Sequence, residues 1–468
     1  MSSQGRPTAE KAKRPRQLPT IGGKYFALVV LFSMNLLNYI DRYSFFAAGE
    51  KIKAPDALNI DDYWFGWLGA SFMIVYTIVS PLMGWLGDRY NRKVLLASGV
   101  ALWSLATVGT AFSADYYHMF FWRALLGIGE ASYGVIAPTL LSDLFPVKER
   151  GRAMGLYYLA LPVGTALGYI LGGTITDLLG WRAVFLVVGL PGLLAAFGGL
   201  VLLDPGRGAA EGGAAGQKAG RPRLKDYLEL FRTRTFLYNT AGMAAVTFAT
   251  GAYGAWGLLF YQRVHGLTPR EAGSTIGGLL VVASLVGIAL GTFIADAFFK
   301  VTKRSYLLVA AAAVLCATPL GALGILDPDY KSSLYYLFGA SLLMSMVLGP
   351  CNTITANVIP ANLRAAAYAA FIFLIHLFGD ISSLILLGWV SDFFGEPKVI
   401  NSSIGKLVES IGAKPVGDSN LTIAMLSVVP VLILGFVFFL IGSRYLPADQ
   451  ERIRAAGEAD AGGSGSIH

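Results

Sequence analysis

An all-α membrane protein, with twelve transmembrane helices in two six-helix bundles, is the fold the sequence predicts. Three observations carry it. The 468 residues are 55% hydrophobic and only 14% charged, with a mean hydropathy of +0.58, where a soluble domain is nearer a quarter charged. Twelve apolar stretches each approach or exceed the length of about 20 residues that a helix needs to cross the hydrocarbon. One long polar stretch, 204–225, separates six of them from the other six.

Taken in order, residues 1–23 are basic and contain proline, with no cleavage site behind them, so they predict a cytoplasmic, disordered tail before a retained first span. The first-half spans are expected at 25–46, 63–86, 94–112, 116–144, 153–179 and 183–203. The second-half spans are expected at 236–261, 271–299, 306–326, 333–358, 365–393 and 421–443. The units are then an N-terminal bundle over 24–203, a Gly/Ala/Arg-rich flexible linker over 204–234, a C-terminal bundle over 235–445 and a cytoplasmic tail over 446–468, whose last residues from 456 on predict disorder. Lysine and arginine fix the orientation. The loops on the side of the termini hold 26 of them and the opposite loops nine, which predicts both termini in the cytoplasm. The formal charge of +8 is therefore a topology signal and not a nucleic-acid patch. Cys316 and Cys351 lie inside apolar spans and read as small buried side chains.

The halves echo each other. Pro146 to Arg150 after span 4 repeats as Pro360 to Arg364 after span 10, and Asp88 with Arg92 after span 2 repeats as Asp296 with Lys300 after span 8. Duplicated six-helix units are a transporter pattern, with the site between the repeats near the midplane.

Span 1 carries Asn35, Asn38, Asp41 and Arg42. A charge at mid-membrane costs roughly 2.5–3.5 kcal/mol on insertion scales. At 100° per residue the four fall within about a third of the helix circumference. That stripe reads as a proton and head-group site, or as a structural ion pair at a helix end. On span 4, Arg123 and Glu130 are seven residues apart and share a face, with Gly127 between them. Arg123 can hold an anionic head group or neutralise Asp41 or Glu130, and Glu130 can be a second protonation site. An isolated salt bridge is the alternative. On span 11, His376 and Asp380 are four apart and can relay protons or simply hydrogen-bond. Asn352 on span 10 and Tyr253 on span 7 are further cavity candidates, whereas the Gly/Pro pattern of span 5 suits close helix packing. No acid in the second half matches Asp41 or Glu130, so the ionisable machinery is concentrated in the N-terminal bundle. No catalytic set, metal-ligand spacing or P-loop stands out, so the sequence predicts neither an enzyme nor a cofactor.

The 2–3 loop reads Gly84-Trp85-Leu86-Gly87-Asp88-Arg89-Tyr90-Asn91-Arg92-Lys93 and resembles the signature loop of the major facilitator superfamily. That resemblance implies a gating role for Gly84, Asp88, Arg89 and Arg92, with Arg150 in the 4–5 loop. Asp88 is expected to favour the N-terminus of span 3; a solvated turn that fixes topology is the plainer reading. The stretches 38–43, 86–93, 129–133 with 137–139, and 161–164 with 167–169 together resemble the spinster family of lipid transporters. The resemblance implies export of sphingosine phosphate, lysophospholipids or related lipids through a cavity between the bundles, with Asp41 as the protonatable acid on span 1, Arg42 beside it and Glu130 on span 4. The expected partners are then a lipid or other amphiphilic small molecule, protons and membrane lipids, but no nucleic acid, for a monomer in a bacterial inner membrane. An anionic substrate would draw an arginine away from Asp41 and so favour its protonation. Rival readings are a proton/drug antiporter for small amphiphiles and a non-transporting lipid receptor on the same scaffold.

Overall fold

The computed structural model describes residues 23–206, 230, 232–359 and 363–463, without the side chains of 88, 147, 356, 364–366 and 454–463. Most of the linker expected at 204–234 lies outside the described residues, as do residues 360–362 of the repeated Pro-x-x-x-Arg pattern. The described residues are helical apart from loops and one isolated bridge between Val416 and Ser419.

Span 1 is Lys24–Ala47, span 2 Asp62–Arg89, span 3 Arg92–Ala111, span 4 Tyr116–Leu144, span 6 Trp181–Leu200, span 7 Arg234–Arg263, span 8 Pro269–Phe299 and span 9 Ser305–Leu326. The other spans are broken. Span 5 is Val147–Tyr158 then Ala160–Leu179, and span 10 is Tyr330–Ser345 then Leu348–Asn357. Span 11 is Arg364–Ile375, a π-helical turn His376–Ile381 and Ser382–Phe393; span 12 is Leu421–Leu426 then Val428–Gly463. Among the described residues, 11 helices are long and apolar enough to cross a membrane, and span 1 is not one of them. Its 24 residues give about 36 Å of helix, but Asn35, Asn38, Asp41 and Arg42 interrupt its apolar character. It joins the bundle by packing on spans 5 and 6.

Side-chain caps start many of the helices. Asp61, Asn91, Asp115 and Asn420 accept backbone N–H groups at the starts of spans 2, 3, 4 and 12. Thr268 and Glu271 form a reciprocal capping box ahead of span 8, with Pro269 in the first turn. One expectation is corrected here: Asp88 belongs to the last turn of span 2, and Asn91 caps span 3. A second correction concerns the C-terminus. The last helix runs on to Gly463, so residues 456–463, expected to be disordered, are helical; the Ala, Glu, Arg and Gln after 446 are strong helix formers. Asp449 of this helix accepts the Thr235 N–H (3.0 Å) and Arg452 donates to the Thr233 hydroxyl (2.9 Å), docking the helix on the start of span 7.

Spans 1–6 pack together and spans 7–12 pack together, and the two groups meet along span 5 against span 8 and span 2 against span 11. The glycine pattern of span 5 serves packing against span 1: a Cβ on Gly168 would stand 2.8 Å from the Ile40 carbonyl. Both inter-bundle seams are tightest on the side opposite the termini, called the far side below. There, a Cβ at Gly66 would collide with the Leu384 carbonyl and one at Gly273 with the Tyr169 carbonyl.

Candidate functional site

The buried polar face of span 1 meets span 3 at one acid and span 4 at the adjacent base. Asp41 is 2% exposed, and its Oδ2 accepts the Thr107 hydroxyl of span 3; its Oδ1 has no partner among the described residues. Arg42, about 100° further round the helix, turns to span 4 and donates from Nη2 to Glu130 Oε2 at 2.5 Å. Arg123, 1% exposed, lies over the rings of Phe45 (4.1 Å) and Phe72 (4.9 Å). Its Nε and Nη2 have no hydrogen-bond partner among the described residues. Phe72 also carries Arg42, at 4.9 Å, so one ring supports two guanidiniums by cation–π attraction. Gly127 permits this: a Cβ there would meet the Phe72 carbonyl at 2.5 Å, so span 4 can press onto span 2.

Arg42 is the member of this quartet that reaches a cavity between the bundles. One lobe is lined by Arg42, Tyr43, Phe72, Thr250, Gly254 and Asp380. The lobe beside it shares Tyr43, Thr250 and Gly254, has a volume of about 240 Å³ and is mainly apolar, with Leu161, Met243, Leu280 and Met344 in its walls. Tyr253 lines this second lobe. His376 Nδ1 and Asp380 Oδ2 are 2.6 Å apart on the π-helical turn, a deformation common at functional sites. Span 7 admits Asp380 because Gly251 has no side chain; a Cβ there would lie 2.6 Å from Asp380 Oδ1.

Other expected residues sit elsewhere. Asn35 donates from Nδ2 to the Tyr157 carbonyl of span 5 (3.0 Å), and Asn38 is buried with no partner for Nδ2 among the described residues. The Asn352 carbonyl accepts the Tyr368 hydroxyl (2.8 Å). None of these three is among the cavity-lining residues.

In the 2–3 loop, the Arg89 guanidinium stacks on Trp85 at 3.8 Å, and the side chain of Asp88 lies outside the described residues. Arg92 donates to Asp143 of span 4 (2.5 Å) and, through Nη2 and Nε, to both oxygens of Asp204 (2.5 and 3.3 Å). Burial pushes the Asp204 carboxyl up, but hydrogen bonds from Arg92 and the Gly206 N–H, with the charges of Arg92 and Lys93, hold it below the usual range. Arg150 lies in the first turn of Val147–Tyr158. Gly84, Gly87, Arg92, Val135, Thr139 and Asp143 line a groove between spans 2 and 4 on the termini side.

A second charged cluster, on the far side, was not visible as a unit in the sequence. Arg263 of span 7 donates to Asp62 of span 2 (2.7 Å), Glu50 (2.6 Å) and Ser419 (2.5 Å). Lys53 pairs with Asp62, and Ser391 of span 11 donates to Asp62 Oδ2 (2.6 Å). Asp392 accepts the N–H groups of Tyr63 (2.7 Å) and Asp62 (3.2 Å) at the start of span 2. The cluster ties the bundles together across the far side. On the termini side, Val147–Tyr158 and Arg364–Ile375 make no comparable inter-bundle packing among the described residues. Among the described residues, the bundles are thus joined more closely on the far side of the cavity than on the side of the termini. Bases and acids at span ends read as loop charge; their common placement on one side was the only signal.

Residues 31–380 match the family described as Major Facilitator Superfamily. Protein spinster homolog 1 of Rattus norvegicus is 35% identical over 395 residues, 79% of this chain and 74% of that protein. Protein spinster homolog 3 of Danio rerio is 31% identical over 452 residues, 91% of this chain and 86% of that protein. Among solved structures, a bacterial homolog to the human lysosomal transporter spinster, in an inward-facing and unoccupied conformation, is similar with a TM-score of 0.79 at 22% identity, over 91% of this chain and 98% of that one.

Proposed function

Because the chain belongs to the major facilitator superfamily, and within it to the spinster family, it is a multi-pass membrane transporter and not an enzyme, and we propose that it moves an anionic lipid or lysolipid by proton-coupled alternating access. One observation carries the reading: Arg42, held by buried Glu130, forms the charged wall of a cavity whose other lobe is apolar. An amphiphile matches that division, with its head group at Arg42 and its chain against spans 5, 8 and 10. The lysine and arginine bias supports termini in the cytoplasm of a bacterial inner membrane, and on that assignment the more closely joined side faces away from the cytoplasm.

The pairing of Arg42 supports a different coupling step. The sequence reading set the head group in competition with Asp41, whereas the carboxylate paired to Arg42 is Glu130. A head-group phosphate at Arg42 competes with Glu130, which then takes a proton instead of remaining as an unpaired buried anion. Asp41, held by Thr107 and 2% exposed, is the second proton carrier, balanced by Arg123.

The test is flux of a labelled lysophospholipid or sphingosine phosphate in proteoliposomes, with and without an imposed pH gradient. Gradient-accelerated flux, lost in Asp41→Asn while gradient-free exchange persists, is the expected result. Unchanged gradient dependence in the variant overturns the role of Asp41. A second reading, a proton/drug antiporter for small cationic amphiphiles, is favoured by Asp380, which lines the same lobe where Arg42 is already neutralised. Flux of a labelled cationic amphiphile with none of either lipid would select it.

A further inference from the structure

The far-side connection between spans 11 and 12, residues 394–420, contains an eight-residue helix, Ser403–Ser410, capped by Ser402, whose hydroxyl accepts the Gly405 N–H at 3.1 Å. Its apolar residues form one stripe. At 100° per residue, Ile404, Leu407, Val408 and the following Ile411 fall within about 100° of arc, while Lys406 and Glu409 face the other way. Val408, at one edge of the stripe, is buried against the protein, but Ile404, Leu407 and Ile411 are 61%, 65% and 49% exposed.

The ends of this segment fix its height. Gly412, in a left-handed turn with φ +92°, lies near Leu326, the last residue of span 9: a Cβ built on it would stand 3.7 Å from Leu326 Cδ2. The next residue, Ala413, is fully buried, and its carbonyl accepts the side-chain amide of Asn420, the cap of span 12, at 2.9 Å. The Asn420 N–H in turn donates to the Ser391 carbonyl, near the end of span 11, at 2.8 Å. Ile411 thus lies where three spans end together. The outer faces next to it are exposed and apolar: Leu323 on span 9, and Trp389 stacked on Phe393 at 5.3 Å on span 11. Aromatic residues at span ends mark the bilayer interface.

We propose that Ser403–Ser410 is an interfacial helix, which lays Ile404, Leu407 and Ile411 into the bilayer leaflet on the side opposite the termini. The exposed stripe continues the lipid-facing surface of spans 9 and 11, and an amphipathic helix with lysine on its polar face is the form such a surface contact takes. The same segment delivers Ser419 to Arg263, so lipid contact at one end of the loop steadies the inter-bundle cluster at the other.

The test uses the full chain in nanodiscs of phosphatidylcholine and phosphatidylglycerol, in a Cys316→Ser background. A nitroxide is placed at Leu407→Cys, with Ile404→Cys as a second probe should the first fail to fold and Glu409→Cys as the reference on the polar face. Collision with oxygen and with a water-soluble nickel complex is read at each site. The expected result is an oxygen-to-nickel ratio at 407 and 404 shifted severalfold toward oxygen, with the reverse at 409. Equal, nickel-dominated collision at every site puts the helix in water and overturns the proposal. Loss of access to both reagents with spin–spin broadening assigns the face to a second copy of the chain and overturns it equally.

Discussion

Two adjacent residues of span 1 have separate partners. Asp41 is held by Thr107 and Arg42 by Glu130, so each is tested through a different neighbour. Arg42→Ser removes a charge-assisted hydrogen bond of about 1.5–3 kcal/mol and the cation expected to meet an anionic head group. Its KM for an anionic lysolipid rises at least about tenfold, a factor that corresponds to 1.4 kcal/mol; an unchanged KM in the flux assay counts against a head-group role. The same substitution strands Glu130, which is 1% exposed, and breaking one partner of a buried pair costs about 3–5 kcal/mol. Arg42→Ser therefore lowers Tm, and Arg42→Ser/Glu130→Gln recovers most of the loss; a double variant no more stable than the single one contradicts the pairing. The charges themselves were legible in the sequence because they interrupt an apolar helix. Their partners were not. Helical periodicity gives the face on which Arg42 lies but not the neighbour turned toward it, and nothing local marked Thr107, Phe45 or Phe72 as the surroundings of Asp41 and Arg123.

Helices meet here where a side chain is missing. At Gly66 the far-side seam brings span 2 against the Leu384 carbonyl of span 11, and a methyl group can be relieved only if the bundles part. Gly66→Ala should leave each bundle folded and shift the population toward a far-side-open state. The check is faster thiol labelling of a cysteine at Leu384, with unchanged labelling the contrary outcome. Most spans were legible because length and hydropathy suffice for a transmembrane helix. The breaks in spans 5, 10, 11 and 12 were not, since an apolar run reads the same across a one- or two-residue turn, as in spans 5, 10 and 12, or the π-helical turn of span 11. The start of the linker hid another element. Asp204 read only as the boundary of a polar stretch, yet it accepts from Arg92, which also donates to Asp143. Its carboxyl is held below the usual range, so the stabilisation is complete above a pH of about 4, the unfolded value, and is lost as pH falls through the lowered folded value. Asp204→Asn should lower Tm by an amount constant from neutral pH down to about 4 and vanishing below it. A gap that persists in acid would contradict the ionic account.

At the scale of the whole molecule, the described residues tie the two bundles on the far side, by close packing and by charge. Arg263 is the centre of the charged part: 11% exposed, it reaches across the bundle boundary to Asp62 and Glu50. Asp62, itself 1% exposed, keeps Lys53 when Arg263 is gone, and Ser391 and Asp392 still bond to the start of span 2, so Arg263→Ala removes only the ionic part of the inter-bundle tie. The central quartet lies on spans 1 and 4 and depends on no member of this cluster, so the site survives while the equilibrium between facing states changes. If the ionic part contributes about 3 kcal/mol, at the low end for a buried pair, its removal changes the ratio of closed to open far side by more than a hundredfold. The measurement is a distance distribution between spin labels at Asp56→Cys and Lys398→Cys, exposed positions on opposite sides of the seam, in the Cys316→Ser background. The parent should give one short distance and Arg263→Ala a dominant longer one. A single short distance in both would mean that the glycine seams, with the Ser391 and Asp392 hydrogen bonds, keep the far side shut without Arg263. In that case Gly66→Ala, and not Arg263→Ala, would be the variant that opens it, so the two substitutions together apportion closure between packing and charge.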